Sequence, residues 1–451
     1  MNRESDGVMD LALQVLRDSG ATSAEVYLED YAVTSVSVAG GRIENLESQE
    51  VRGAGVRVFR DGRVGFCYTT ALGPEGLKGA AQTALSLLAF SDADEANRLP
   101  EADAAAPGLA EPDIFDLMIA RVDQQEKISV ARRVEDAARA TDPRVTKVRR
   151  SKYTDVAGRV EVAGTGGLRR SWPFSRVYAA IELTAEEKGE LQSGYYADFS
   201  VRFSGLDPVQ VGREAARRAV QKLGASRTAT RRTNVVLEPS VAASLLEAIA
   251  PVFHADNVLK GKSLLASRTG QVVAGPRVTL LDDGRLPGAD HTAPYDAEGL
   301  ATRTTSVIEA GTLKGFLHSS YTAATMRAPV TGNAFRSSFK MPPRISPSNL
   351  FLQPTGIGRD ALLSEAGSGI YVTEVMGLHT IDPISGDYSL GASGLMLRDG
   401  RLEGPVDRIV IAGNVLDLLR CISAVAVDLR LMPGGGAGST TLLADVSVSG
   451  T

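Results

Sequence analysis

Cysteine is nearly absent. Cys67 and Cys421 lie far apart in a chain of 451 residues, which excludes a disulfide framework and fits a reducing compartment. No apolar run approaches the roughly 20 residues that a membrane span needs. The polar, acidic stretch from Met1 to Asp10 has neither the basic nor the apolar region of a secretory leader, so a cytoplasmic protein without membrane contact is expected. Histidine is scarce as well, at four residues: His254, His291, His318 and His379. No H-E-x-x-H, C-x-x-C, P-loop lysine, strand-following G-x-G-x-x-G or G-x-S-x-G elbow occurs. Gly391-Ala392-Ser393-Gly394 falls short of that elbow and reads as a turn entering a hairpin. A net charge of −5 offers no basic footprint for nucleic acid; Lys147, Arg149, Arg150 and Lys152, or Arg227, Arg231 and Arg232, read as a solvated strand edge or linker. Aromatic residues make up only 5% against 46 glycines, a balance that favours sheets and turns of Val, Ala, Thr and Gly over an aromatic-lined pocket.

What is present suits a multidomain globular chain. At about 100–200 residues per domain the length implies two to four domains. Val8, Leu11, Val15 and Leu16 repeat at helical spacing up to a stop at Gly20. Strands are expected at Ala24–Glu29, Thr34–Ala39, Gly53–Arg60 and Arg63–Thr69, the last two joined by the hairpin pair Asp61-Gly62. A helix follows over Pro74–Ala89. These residues, 1–90, form an N-terminal α/β domain. Residues 91–113 are acidic and Pro-containing, a linker. Residues 114–225 read as a central α+β domain: a helix over Lys127–Ala140, strands over Val145–Tyr153, Val156–Ala163, Val177–Thr184 and Leu191–Phe203, and a helix opened by Asp207 as N-cap with Pro208 at its first position. Residues 226–451 read as a mostly antiparallel β domain. Its expected elements include a strand over Thr233–Leu237, a helix over Ser240–Pro251, strands over Gly270–Leu281, Gly315–Tyr321 and Leu442–Val448, and a Gly434–Gly438 loop. The fold class is therefore α+β.

The segment Leu245–Lys262, L-L-E-A-I-A-P-V-F-H-A-D-N-V-L-K-G-K, carries the chemistry. It resembles the TldD/TldE (PmbA) peptidase family, whose catalytic type has H-E-x-x-x-H here. The resemblance continues through Gly332-Asn333-Ala334-Phe335-Arg336-Ser337-Ser338 and Pro342-Pro343-x-x-x-Pro347-x-Asn349-Leu350. It is most specific, and of the PmbA type, in Gly377-Leu378-His379-Thr380-x-x-Pro383-x-Ser385-Gly386-Asp387-x-Ser389-x-Gly391-Ala392-Ser393-Gly394, and it spans nearly the entire chain. Laid on H-E-x-x-x-H, Leu246 stands at the first histidine, Glu247 at the glutamate and Pro251 at the second histidine. Leucine and proline offer no lone pair to a metal, and proline breaks the helix that would aim the ligands. The catalytic type's third ligand, a cysteine, would fall near Gly434–Ser439, where there is none. Glu247 remains, but a general base without metal-bound water has nothing to activate.

The resemblance implies a metal-free, non-catalytic subunit of a complex that degrades or trims unfolded or extended peptides. Zinc is expected in a TldD-type partner and no cofactor in this chain, which would form a homodimer when alone. Contact through exposed strand edges of the C-terminal β domain is expected. Extended peptide would be held by strand addition, with Asn333, Arg336, Ser337, Ser338, His379, Thr380 and Asp387 near its path. His254 reads as a partly exposed or interface residue, His291 as a polar-loop residue facing solvent or partner, and His318 as a core or strand-edge residue. Two other readings stay open: a self-sufficient homodimeric peptidase with a rewired metal site, and a regulatory binding protein of the gyrase-modulator type.

Overall fold

The computed structural model describes residues 4–101 and 110–450. The first half comprises α1 (Glu4–Asp18), β1 (Ala24–Ala39), β2 (Arg42–Arg60), β3 (Arg63–Thr69), α2 (Pro74–Leu87), α3 (Gln124–Thr141), β4 (Val145–Gly164), β5 (Arg169–Glu187), β6 (Glu190–Ser200) and α4 (Pro208–Val220). All six strands form one sheet in the order β3-β2-β1-β4-β5-β6. The chain on either side of the 91–113 stretch thus shares a single sheet, because β1 pairs with β4 from Glu25↔Gly164 to Val38↔Ser151. Asp61 and Gly62 both take left-handed φ, 51° and 71°, as a two-residue hairpin turn requires.

The strands run longer than their apolar alternation indicates. Ala24–Glu29 and Thr34–Ala39 are one strand, and β2 begins at Arg42 instead of Gly53. The expected break at Thr154-Asp155 is absent: buried Asp155 is neutralised by Lys127 of α3, 2.7 Å away, so a charge can sit inside a continuous strand.

The sheet is the middle of three layers. On one face Val26, Leu28, Val56 and Val58 pack beneath α1 and α2, while Ala179, Ile181 and Leu183 pack beneath α3 and α4. The other face receives the C-terminal half. A Cβ on Gly53 would come within 2.3 Å of the Phe339 ring, and one on Gly55 within 2.5 Å of the Phe339 carbonyl oxygen. Two glycines therefore make the hollow that seats Phe339, which is 1% exposed.

The C-terminal half runs β7 (Arg231–Leu237), α5 (Pro239–Ile249), α6 (Ala255–Leu259), β8 (Leu280–Asp283), β9 (Thr304–Glu309), β10 (Thr312–Leu313), α7 (Ser320–Met326), β11 (Ala334–Phe335), β12 (Arg344–Ile345), β13 (Leu350–Leu352), α8 (Arg359–Ala366), β14 (Gly369–Met376), β15 (Asp387–Arg398), β16 (Arg401–Asn414), α9 (Val415–Cys421), β17 (Ile422–Val425), β18 (Arg430–Leu431), β19 (Ala437–Gly438) and β20 (Thr441–Ser449). Its main sheet has the order β16-β15-β14-β7-β20-β17, parallel only between β7 and β14. The α+β class and the largely antiparallel C-terminal sheet agree with the sequence.

Three expectations fail here. Gly270–Leu281 is mostly turns, with a strand only from Leu280. Gly315–Tyr321 is no strand: Ser319 and Thr322 build a capping box that starts α7 instead. The C-terminal sheet also joins β16 to β20 through Val410↔Ser449 and Ile411↔Val448, so its open edges are shorter than expected, with Arg401–Ile409 of β16 bonded to β15 and, at Val406, to Ser226. Unpaired edges lie on the first sheet as well: β3 pairs only with Ala54–Arg60 of β2, leaving the stretch from Arg42 bonded to β1 alone, and β6 is an outer strand. Among the described residues no helix is long and apolar enough to cross a membrane.

Candidate functional site

α5 organises the site. Its N-cap, Glu238, accepts a hydrogen bond from Ser240 N at 3.1 Å, and Pro239 occupies the first helical position. Val241, Ala242, Leu245, Leu246 and Ile249 face the core. Ser240, Ala243, Ser244 and Glu247, at spacings of three and four, present the opposite stripe to a cleft of about 360 Å³.

The other walls come from distant parts of the chain. Ser193, Tyr195 and Ala197 of β6, the end of α4 around Arg218 and Lys222, Thr373–Val375 of β14, and the segment from Arg430 to Gly436 all line it. Two of these walls are strand edges. β6 is the outer strand of the first sheet. β7 ends opposite Val372, so Thr373–Met376 of β14 pair only with β15 among the described residues, next to a bulge at Thr373.

Most charges in the cleft are matched. Lys222 Nζ lies 2.8 Å from Glu374 Oε2, joining α4's end to β14. Arg218 pairs with Glu214 and Glu238, both at 2.9 Å, and Arg430 reaches Glu238 at 3.6 Å. The two guanidinium groups stack on Tyr196 at 5.1 and 4.5 Å from the ring centre. Glu247 differs: its tip is exposed to the cleft, it has no ion pair or side-chain hydrogen bond among the described residues, and desolvation by the walls raises its pKa.

The metal-bearing positions of the resemblance do not fit a metal. Leu246 is 3% exposed within the core, and Pro251 sits in the 3-10 turn Ala250–Phe253 that ends α5. Near Gly434–Ser439 the side chain with a donor atom is the buried Ser439 hydroxyl. Cys421, at the end of α9, is half-buried with its thiol pushed up by burial. Among the described residues no group of three or more His, Cys, Asp or Glu side chains is placed to hold an ion.

The seven polar residues proposed for a peptide path separate. Asn333 and Arg336 are buried between the two halves of the chain: Asn333 Nδ2 donates to Asp282 Oδ2 at 2.6 Å, and Arg336 pairs with Glu25 at 2.5 Å. Ser337 and Ser338 occupy a surface turn. His379, Thr380 and Asp387 are exposed around the 3-10 turn Leu378–Thr380; Thr380 Oγ1 donates to Ser389 O, and Asp387 accepts from Asn414. None of the seven lines the cleft at α5, although Leu378 does.

The histidines are also informative. His254 precedes α6, half-buried, with its pKa lowered by burial to about 4. His318 is buried beside Thr322. His291 is not the solvent-facing residue expected: its ring stacks on Phe335 at 5.7 Å, and a Cβ on Gly435 would strike it at 2.2 Å. Gly435, at φ +85°, is thereby fixed as glycine.

A second cleft, of about 290 Å³, is lined by aromatic rings although the composition favours sheets and turns over an aromatic-lined pocket. Tyr27, Trp172, Phe174, Tyr178, Tyr295 and Phe335 line it together with Asn333 and Arg336.

Comparison with known proteins agrees with this architecture. Residues 24–88 match the family description PmbA/TldA metallopeptidase domain 1, residues 119–223 its central domain and residues 230–450 its C-terminal domain. The Escherichia coli O157:H7 protein named Metalloprotease PmbA is 27% identical over 436 residues, covering 96% of this chain and 94% of that one. A Thermotoga maritima protein, named as a candidate modulator of a DNA gyrase, has a crystal structure similar at TM-score 0.87 and 26% identity, covering 98% of this chain and 100% of that one. TldE from Thermococcus kodakarensis is similar in fold, at TM-score 0.85 and 19% identity, over 98% of this chain and 100% of that one. The chain belongs to the PmbA/TldD metallopeptidase family.

Proposed function

We propose that this chain is the metal-free, non-catalytic subunit of a two-subunit cytoplasmic peptidase, and that it receives unfolded or extended peptides for a zinc-bearing TldD-type partner. One observation carries the reading. Leu246 and Pro251 stand where the catalytic type has its histidines, yet the cleft over α5 is kept, with Glu247 on its floor and two unpaired strand edges as walls. An edge with free N–H and C=O groups adds an extended chain through main-chain hydrogen bonds, largely without regard to sequence. The scarcity of metal donors leaves the cleft suited to holding a substrate and not to cutting it.

Hydrolysis of an unfolded polypeptide tests this. The chain alone gives none, while a mixture with a TldD-type subunit carrying H-E-x-x-x-H is active. Hydrolysis by the highly purified chain alone, abolished by a chelator, would refute the reading.

A further inference from the structure

The aromatic cleft is a second cavity, lined from both halves of the chain. Its walls include the chain's single tryptophan, Trp172, tilted against Tyr295 with ring centres 5.8 Å apart, and the stacked pair His291 and Phe335. The Asp290 carboxylate is internally satisfied: it accepts from Arg176 Nε at 3.1 Å, Tyr178 OH at 2.9 Å and Gly434 N at 2.6 Å. A cationic ligand group finds no open carboxylate there, since Asp296 also accepts from Leu300 N and Ala334 N; a planar, largely apolar one finds rings.

Two lining side chains keep a buried polar atom without a partner among the described residues, Arg336 Nε and Asn333 Oδ1, and only the second is an acceptor. Asn333 Nδ2 donates to Asp282 Oδ2 at 2.6 Å and to Ser346 O at 3.1 Å. The Ser346 carbonyl, which can only accept, fixes the orientation of the amide. Asn333 Oδ1 is then buried without a donor among the described residues, in a side chain 2% exposed. Buried acceptors are normally satisfied, so this one calls for an incoming O–H or N–H.

The cleft adjoins the first one. Tyr178 pairs with Phe199 and Ala180 with Ala197 across β5 and β6, which places Tyr178 and Ala197 diagonally on the same sheet face, roughly 7–8 Å apart. Tyr178 lines the aromatic cleft and Ala197 the α5 cleft, with Asp290 and Gly434 between them. We infer that the aromatic cleft takes a tyrosine or tryptophan side chain of the peptide whose backbone lies along the α5 cleft, the ring between the aromatic walls and its O–H or N–H donating to Asn333 Oδ1. The inference rests on the peptide-receiving reading above and adds a side-chain preference to it.

Trp172 makes the test direct. Capped tripeptides acetyl-Ala-Tyr-Ala-amide, acetyl-Ala-Phe-Ala-amide and acetyl-Ala-Leu-Ala-amide are titrated into the full chain, with Trp172 emission and calorimetry followed in parallel. The tyrosine peptide gives a saturable change in emission and binds about tenfold more tightly than the phenylalanine peptide, because only the former has the donor. Phe335→Ala weakens it about tenfold by removing one wall, and Val156→Phe, which fills the cleft instead of emptying it, abolishes the response. Binding heat with Trp172 silent would overturn the cleft assignment and leave the peptide-receiving reading standing. No binding by either readout would overturn both, and equal affinity for all three peptides would overturn the role of Asn333.

Discussion

Arg336 and Glu25, 311 residues apart, form a buried ion pair at 2.5 Å that joins the C-terminal half to β1. Glu25 also pairs with Arg57 at 2.7 Å, and Arg57 with Glu298 at 2.9 Å, so two arginines and two glutamates balance inside the interface. Removing one member of a buried set leaves an uncompensated charge. Arg336→Ala is expected to destabilise the protein by about 3 kcal/mol, near the lower end for such losses because Arg57 still holds Glu25. Urea unfolding of both proteins measures it; a change within experimental error would mean the interface tolerates the bare carboxylate.

Stability is expected to fall as pH rises from 6.5 to 8. Burial pushes Asp282 up to about 7, and burial together with the charge of Glu298 pushes Asp296 up to about 8. Unfolded, both titrate at about 3.9, so the folded state holds protons that the unfolded state lacks, and raising pH through the folded values removes that advantage. His254, His291 and His318, all lowered by burial, act in the opposite sense, mostly below the unfolded value of about 6.5 and by up to roughly 1 kcal/mol together above it. The net decline above that point is about 1 kcal/mol. Denaturant midpoints at pH 6.5 and 8 check the sign; a rise would show that these carboxyls are ionised in the folded protein.

On the proposed subunit role the working glutamate would belong to the TldD-type partner, so Glu247→Gln should leave the hydrolysis by a mixture with that partner within a few-fold. A loss of about a thousandfold, roughly 4 kcal/mol of transition-state stabilisation, would show that Glu247 takes part in the chemistry.

Much of this was legible where the signal is local. Asp61-Gly62 forms the expected hairpin, and α5 follows its apolar spacing. Glu247 was found through its place in a motif. The rest depends on partners remote in sequence. Asp155 reads as a strand break until Lys127 is seen beside it. The α5 cleft draws on residues near 195, 220, 374 and 432, and the aromatic cleft on residues from Tyr27 to Phe335. No spacing rule connects such positions, and the low overall aromatic content concealed how many rings the fold gathers in one place.

Isolated protein is expected to form a two-fold dimer, the commonest closed symmetry, through an interface beyond about 2,000 Å². The unpaired edge of β2 from Arg42 to Arg52, outside the α5 cleft that β6 and β14 line, is a surface open to a second copy's strand. Light scattering at micromolar concentration checks the mass; a monomer that also recruits no TldD-type subunit would contradict the subunit role.

Elemental analysis of the chain purified without a partner tests the central claim most directly. With leucine and proline at the two histidine positions and no cysteine near Gly434–Ser439, it should carry far less than one zinc per chain. About one tightly bound zinc, lost in His254→Ala or His379→Ala, would contradict the account and place a metal site in this subunit.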